Sequence, residues 1–148
     1  MQVMDQELVL LDLDAESRDV ALQKMIDRLD KAGRLNDKEG YKEAVYEREK
    51  EFSTAFEGGV AIPHGKTDCA KYSSVVFARL KHPIQWDAES EEPVRMIFLL
   101  AIPQKEQGDG HLRILSSLAT SIMEEDFVAN LLQAEDAQQA CKLLQAVV

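Results

Sequence analysis

The sequence predicts an α/β fold: a three-layer sandwich with a mixed β-sheet flanked by helices on both faces. Three observations predict it. Helical periodicities stand both before and after the strand candidates, so a sheet covered on two sides is the economical arrangement. Val94–Ile102 (VRMIFLLAI) is almost continuously apolar, the mark of a central strand buried on both faces. Strands and helices do not alternate strictly, which favours a mixed sheet over a purely parallel one.

Residues 8–13 (LVLLDL) read as a short strand. Asp14 or Ser17 can cap the helix that follows, whose apolar stripe is Leu22, Met25, Ile26 and Leu29, at i, i+3, i+4 and i+7. Gly33 suits its C-terminal stop. Asn36 and Asp37 open a second helix with Tyr41, Ala44, Val45, Arg48 and Phe52 on one face. Gly58 and Gly59 lead into a short apolar strand over 60–62, which stops at Pro63 and delivers His64 to its end. Gly65 then leaves backbone room beside the ring. Residues 74–80 and 94–102 read as two longer strands, separated by a polar segment holding Trp86 and Pro93. His82 falls just after the first of these, in an exposed turn, and is given no role.

From Gly108 the pattern becomes helical, with Asp109 as cap and apolar residues at 112, 115, 118, 119 and 122. Phe127, Val128, Leu131 and Leu132 mark a further helix. Asp136 opens the last, with Ala140, Cys141, Leu144 and Val147. The order is β, α, α, short β, β, β, α, α, α. No repeat or long linker interrupts it, so residues 1–148 are expected to form a single domain.

Composition narrows the class. The formal charge is −10, with 45% apolar and 30% charged residues, ordinary for a soluble domain. Such an acidic balance argues against nucleic-acid binding, because a polyanion would be repelled. No stretch approaches the roughly 20 apolar residues of a membrane span. The N-terminus carries Asp5 and Glu7 where a secretory signal would be basic. Cys69 and Cys141 are too few for a disulfide framework. A cytoplasmic, reduced protein is expected.

With three histidines in the chain, histidine chemistry is quickly audited. HExxH, GxSxG, a P-loop, and GxGxxG in a strand-to-helix setting are all absent. Cys69 lies close to His64, but nothing nearby would activate a thiolate. His64 ends a strand between Pro and Gly, where functional residues concentrate, although a lone histidine also serves structure. His111 falls in the first turn of a helix, where an imidazole either shields the helix end or bonds an anion held by the free N–H groups. Arg48 interrupts an apolar stripe. It either snorkels or pairs with a nearby Glu, or it points into a site that receives an anion. Two imidazoles, a guanidinium and a helix start could make a phosphate site, with a neutral imidazole as nucleophile. Spacing alone does not bring them together.

The segment GGVAIPHGK closely resembles the phosphorylation-site signature of the EIIA components of the bacterial phosphotransferase system, in the fructose/mannitol family. REKEFSTAF upstream, RLKHPIQW in the middle, and VRMIFLLAIP, GHLRILSSLA and MEEDF downstream resemble further blocks of that family, in order and over essentially the whole chain. The resemblance is to type-2 EIIA, nearest to fructose-specific domains. It implies an α/β sandwich that takes a phosphoryl group from phospho-HPr and passes it to a cysteine of the cognate EIIB. Phosphoenolpyruvate would be the original donor, and membrane EIIC would act downstream. His64 matches the phosphorylated histidine, His111 the histidine that supports the phosphoryl group, and Arg48 the arginine that stabilises its charge. No metal and no organic cofactor are implied. The alternative within the fold is a regulatory EIIA of the nitrogen-related type. Two departures stand out. Glu57 replaces a frequent Gly and is expected to face solvent, and Gly110 precedes His111 where a bulkier residue is common.

Overall fold

One strand organises the molecule. In the computed structural model, which describes residues 2–56, 58–105 and 110–148 apart from the side chains at 110 and 111, β6 (Val94–Ile102) is buried at every position except the half-exposed Arg95. An apolar strand of this kind needs cover on both faces and neighbours on both edges. β5 (Ser74–Ile84) pairs with it antiparallel, and β1 (Val9–Leu13) pairs parallel with β5. The other edge is shared by two short strands in series. β3 (Val60–Ala61) lies parallel beside Met96 and Ile97, and β4 (His64–Lys66) lies parallel beside Leu100, Ala101 and Ile102. β2 (Ala55–Phe56) closes the sheet antiparallel to β3. The sheet is mixed, as expected.

Pro63 divides β3 from β4. It has no N–H for the ladder, but its carbonyl accepts from Leu100 N at 3.0 Å, so the chain stays fastened to β6 across the break. Pattern reading gives one short strand over 60–62, stopped by Pro63, with His64 on the loop at its end. The structure corrects the loop: His64 is the first residue of a second short strand, β4, opposite Leu100. Strands of two or three residues are too short for alternation to register. A second correction concerns His82. It is exposed, as expected, but lies in an extension of β5 past a register irregularity between Arg79 and Ile84 rather than in a turn.

Helices cover both faces. α1 (Arg18–Lys31) starts at Ser17, whose Oγ accepts from Val20 N at 3.2 Å, and its stripe of Leu22, Met25, Ile26 and Leu29 is fully buried. Ser17, rather than Asp14, is therefore the cap. Gly33, at φ +77°, turns the chain out of the helix as its position predicts. α2 (Lys38–Glu51) packs against α1 and lies over β4. α3 (Gly110–Ile122), α4 (Glu125–Gln133) and α5 (Ala137–Gln145) follow one another in contact, with α5 against β1. Arg34, which pattern reading passes over, is 1% exposed. It donates to Gln2 O, Ser74 Oγ and Asp5 Oδ2, fastening the N-terminal segment to β5.

Two apolar assignments are corrected. Phe52 is not on the buried face of α2: the helix ends at Glu51, and the Phe52 side chain is 75% exposed. Leu112, in the first turn of α3, is also exposed, whereas Leu118 is buried. Asp109 and Glu57 lie outside the described residues.

Gly65 has a different purpose from the one its sequence context suggests. A Cβ there would meet Tyr41 Cε1 at 3.1 Å and Val45 Cγ2 at 3.2 Å, so its bareness lets α2 settle onto β4. Tyr41 cannot give way easily, because its buried hydroxyl donates to Leu100 O at 2.7 Å. Gly65→Ala is therefore expected to lower unfolding free energy by about 1 kcal/mol or more through overpacking, measured by chemical denaturation. A gain in stability would contradict this packing account.

Candidate functional site

The site grows out of the contact between α2 and β4. The last turn of α2 carries Arg48 over the start of β4, where it meets His64. Arg48 Nε donates to His64 Nε2 at 3.1 Å, and His64 Nδ1 lies 3.0 Å from Ile62 O. A guanidinium only donates and a carbonyl only accepts. The ring is therefore assigned as neutral, with its proton on Nδ1 and its lone pair on Nε2. Ile62 is two residues back across Pro63, whose rigid φ helps fix this local loop.

Arg48 is also held from the other side, its Nη1 donating to Phe52 O at 3.0 Å. Among the described residues, no ion pair joins this arginine to a nearby Glu. The guanidinium faces the imidazole. Its half-buried position keeps the charge close to the ring without sealing it from the surface.

The environment keeps His64 neutral. Burial pushes its pKa below the ordinary value of 6.5. The bond to the Ile62 carbonyl pushes it back up, the Arg48 charge lowers it further, and the Glu49 and Glu51 carboxylates oppose that. The net direction is down.

Beneath this pair lies a group that pattern reading misses. Glu49 is buried, its carboxylate accepting from the Thr54 hydroxyl, from Thr54 N at 3.4 Å and from Trp86 Nε1 at 3.2 Å. The available signal is the series Tyr41, Val45, Glu49 at steps of four, which continues the buried face of α2 into a carboxylate. Next to the site, Phe56, Ile62, Ala119, Ile122 and Met123 line an apolar groove. On another side Ser53 and Phe56 border an acidic rim of Asp87, Glu89, Glu91 and Glu92.

The structure thus brings Arg48 and His64 together. His111 lies in the first turn of α3, as expected, but the placement of its imidazole is outside the described residues. Gly110 is the first residue of that helix. Among the described residues, no three His, Cys, Asp or Glu side chains are grouped so as to hold a metal ion. Nor is any described helix long and apolar enough to cross a membrane.

Fold and site define an α/β domain that presents a neutral, guanidinium-contacted histidine at the edge of a mixed sheet. The chain belongs to the family "Phosphoenolpyruvate-dependent sugar phosphotransferase system, EIIA 2", whose model matches residues 2–147. It is 36% identical over 142 residues to the fructose-specific EIIA component of Haloferax volcanii, covering 96% of this chain and 92% of that protein. It is 32% identical to the fructose-specific EIIABC component of Bacillus subtilis, covering 90% of this chain but only 21% of that longer protein. Among solved structures, nitrogen regulatory protein IIA-Ntr from Neisseria meningitidis superposes with a TM-score of 0.86 at 27% identity, covering 96% of both chains.

The direction of the His64 shift makes a testable statement. An NMR titration is expected to place its midpoint below 6.5, and Arg48→Ala is expected to raise that midpoint by removing a neighbouring cation. Because the folded state resists protonation, the stability contributed by this group is present above 6.5 and is lost as pH falls towards the depressed value. A midpoint above 6.5 would contradict this electrostatic account.

Proposed function

We propose that the chain is a phosphocarrier of the phosphoenolpyruvate-dependent sugar phosphotransferase system. In this reading His64 Nε2 accepts a phosphoryl group from the phosphohistidine of HPr and gives it to a cysteine of a cognate EIIB, for uptake of a fructose-like sugar through membrane EIIC. The observation that carries it is the pair of bonds on the imidazole: the Ile62 carbonyl holds the proton on Nδ1, and Arg48 marks Nε2 as the nucleophilic atom.

The chemistry follows from that arrangement. The Nε2 lone pair attacks phosphorus, the donor's P–N bond breaks, and its electron pair returns to the donor ring. Phosphorus displaces the Arg48 N–H from the lone pair and leaves the guanidinium beside the phosphoryl oxygens, where it balances their charge. His64 keeps its Nδ1 proton, so the phosphorylated ring is cationic, and the Ile62 carbonyl accepts from it. A cationic ring leaves readily. The second step, attack by a thiolate on phosphorus with return of the electron pair to Nε2, is therefore easy. His111 supports the phosphoryl group by hydrogen bonding from the start of α3.

The transport reading is supported by the 36% identity to a fructose-specific EIIA and by the Bacillus relative, whose name joins EIIA to EIIB and EIIC. The regulatory alternative rests on a 27% identical structure and is not favoured. We place the protein in the cytoplasm, as one domain over residues 1–148, with no cofactor.

Incubation with phosphoenolpyruvate and the general phosphotransfer proteins is expected to give acid-labile, base-stable phosphate on the wild type and none on His64→Ala. Equal labelling of that variant would overturn the role of His64. Arg48→Ala should accept phosphate about 100-fold more slowly, the scale of one lost charge-stabilising donor. His111→Ala should still accept phosphate but transfer it more slowly to EIIB.

A further inference from the structure

The turn between α2 and β2 contains a device that the phosphocarrier chemistry leaves unused. We infer that Glu49 is a positioning residue: its buried carboxylate, by gripping Thr54, holds in place both groups that fix the His64 imidazole. The inference rests on the phosphocarrier reading only for its kinetic consequence.

Two arms run from Thr54 to the ring. On one side, Thr54 O accepts from Ile62 N at 2.9 Å, and Ile62 O is the partner of His64 Nδ1. On the other, Phe52, two residues before Thr54, offers the carbonyl that holds Arg48 Nη1, while Arg48 Nε meets His64 Nε2. The Phe52 side chain, 75% exposed, cannot anchor this turn. Thr54 can, because it is buried and its hydroxyl and backbone N–H both go to Glu49. Trp86, from the segment between β5 and β6, adds an indole N–H to the same carboxylate, so three donors from two parts of the chain converge on one group.

The residue choice is costly unless it does something. A carboxylate in the last turn of a helix opposes the helix dipole, and burying it demands several donors. An apolar side chain would fill the same place at less cost. What an apolar side chain cannot do is orient the Thr54 hydroxyl and N–H together. Local rules broken in this way, with every partner satisfied, are typical of positions that serve a site.

The test has a structural and a kinetic arm. In the unphosphorylated protein, at a pH where the imidazole is neutral, the His64 Nε2 chemical shift reports the Arg48 bond directly. Glu49→Gln and Thr54→Val are expected to move it towards the value of Arg48→Ala, and Thr54→Ser, which keeps the hydroxyl, is expected to restore it. With phospho-HPr as donor, Glu49→Gln should lower the maximal rate of phosphate acceptance roughly 10-fold to 100-fold, the scale of a small misplacement, without changing the donor concentration needed for half-maximal rate. In an Arg48→Ala background, where only the arm through Ile62 remains, it should cause a smaller further loss.

The inference is overturned if Glu49→Gln and Thr54→Val leave the Nε2 signal unchanged, or if Glu49→Gln slows the Arg48→Ala protein as much as the wild type. Should Glu49→Gln fail to fold, the Thr54→Val and Thr54→Ser pair decides by the same signal. A wild type that takes no phosphate, with the chemical shifts behaving as stated, would count against the phosphocarrier reading and leave the positioning role standing.

Discussion

The site depends on one constraint: each nitrogen of the His64 ring faces a group that can act in only one direction. The Ile62 carbonyl can accept but not donate, and the Arg48 guanidinium can donate but not accept. Together they permit a single neutral tautomer. Everything that places these two partners, from the register of β4 on β6 to the seating of α2 on Gly65, is therefore also part of what fixes the proton. A slip of one residue in β4 would turn the ring to the opposite face of the sheet. The β4–β6 ladder, continued at Pro63 by the bond from Leu100 N, opposes that slip.

The electrostatics follow the same economy. A chain of formal charge −10 offers little general attraction for an anion. The cationic help is local, one guanidinium at hydrogen-bond distance from Nε2. Burial is the main influence keeping the imidazole neutral, ahead of any single charge. This matters because burial acts at any ionic strength, whereas interactions among exposed charges are screened. The neutrality of His64 is thus a property of packing first, with Arg48 adding to it.

Much of this architecture is legible in the amino-acid sequence, and the limits have physical causes. The stripe of α1, the run of β6 and the caps at Ser17 and Asp136 are local patterns, and the structure places them as expected. His64 and Arg48 stand out because each breaks a pattern: an imidazole between Pro and Gly, and a charge on an apolar stripe. β2 and β4 are too short to show alternation. Phe52 and Leu112 are apolar yet exposed, which periodicity cannot foresee because it assigns apolar residues to the core. Glu49 depends on Trp86, distant in the chain, and no spacing rule reaches across that separation. Gly65 was legible as a requirement for room, but the claimant of that room, the Tyr41 and Val45 face of α2, appears only when helix and strand meet.

For the proposed phosphocarrier, the balance around Arg48 has a further meaning. A carrier that holds its phosphoryl group tightly would stall, since interactions that stabilise the loaded state more than the transition state for unloading slow the transfer. Arg48 already spends one N–H on the Phe52 carbonyl, and the carboxylates of Glu49 and Glu51 act on His64 in opposition to its charge. A phosphoryl group on Nε2 would meet the Arg48 guanidinium, tempered by two nearby anions, and the proposed hydrogen bond from His111, rather than the dense cationic clamp of an enzyme that must grip its phosphate. The same buried Glu49 that steadies the turn thus also limits how strongly the site can hold what it receives. Rigid placement and weak retention are compatible here because the first comes from hydrogen bonds to the backbone turn and the second from the small net charge at its tip.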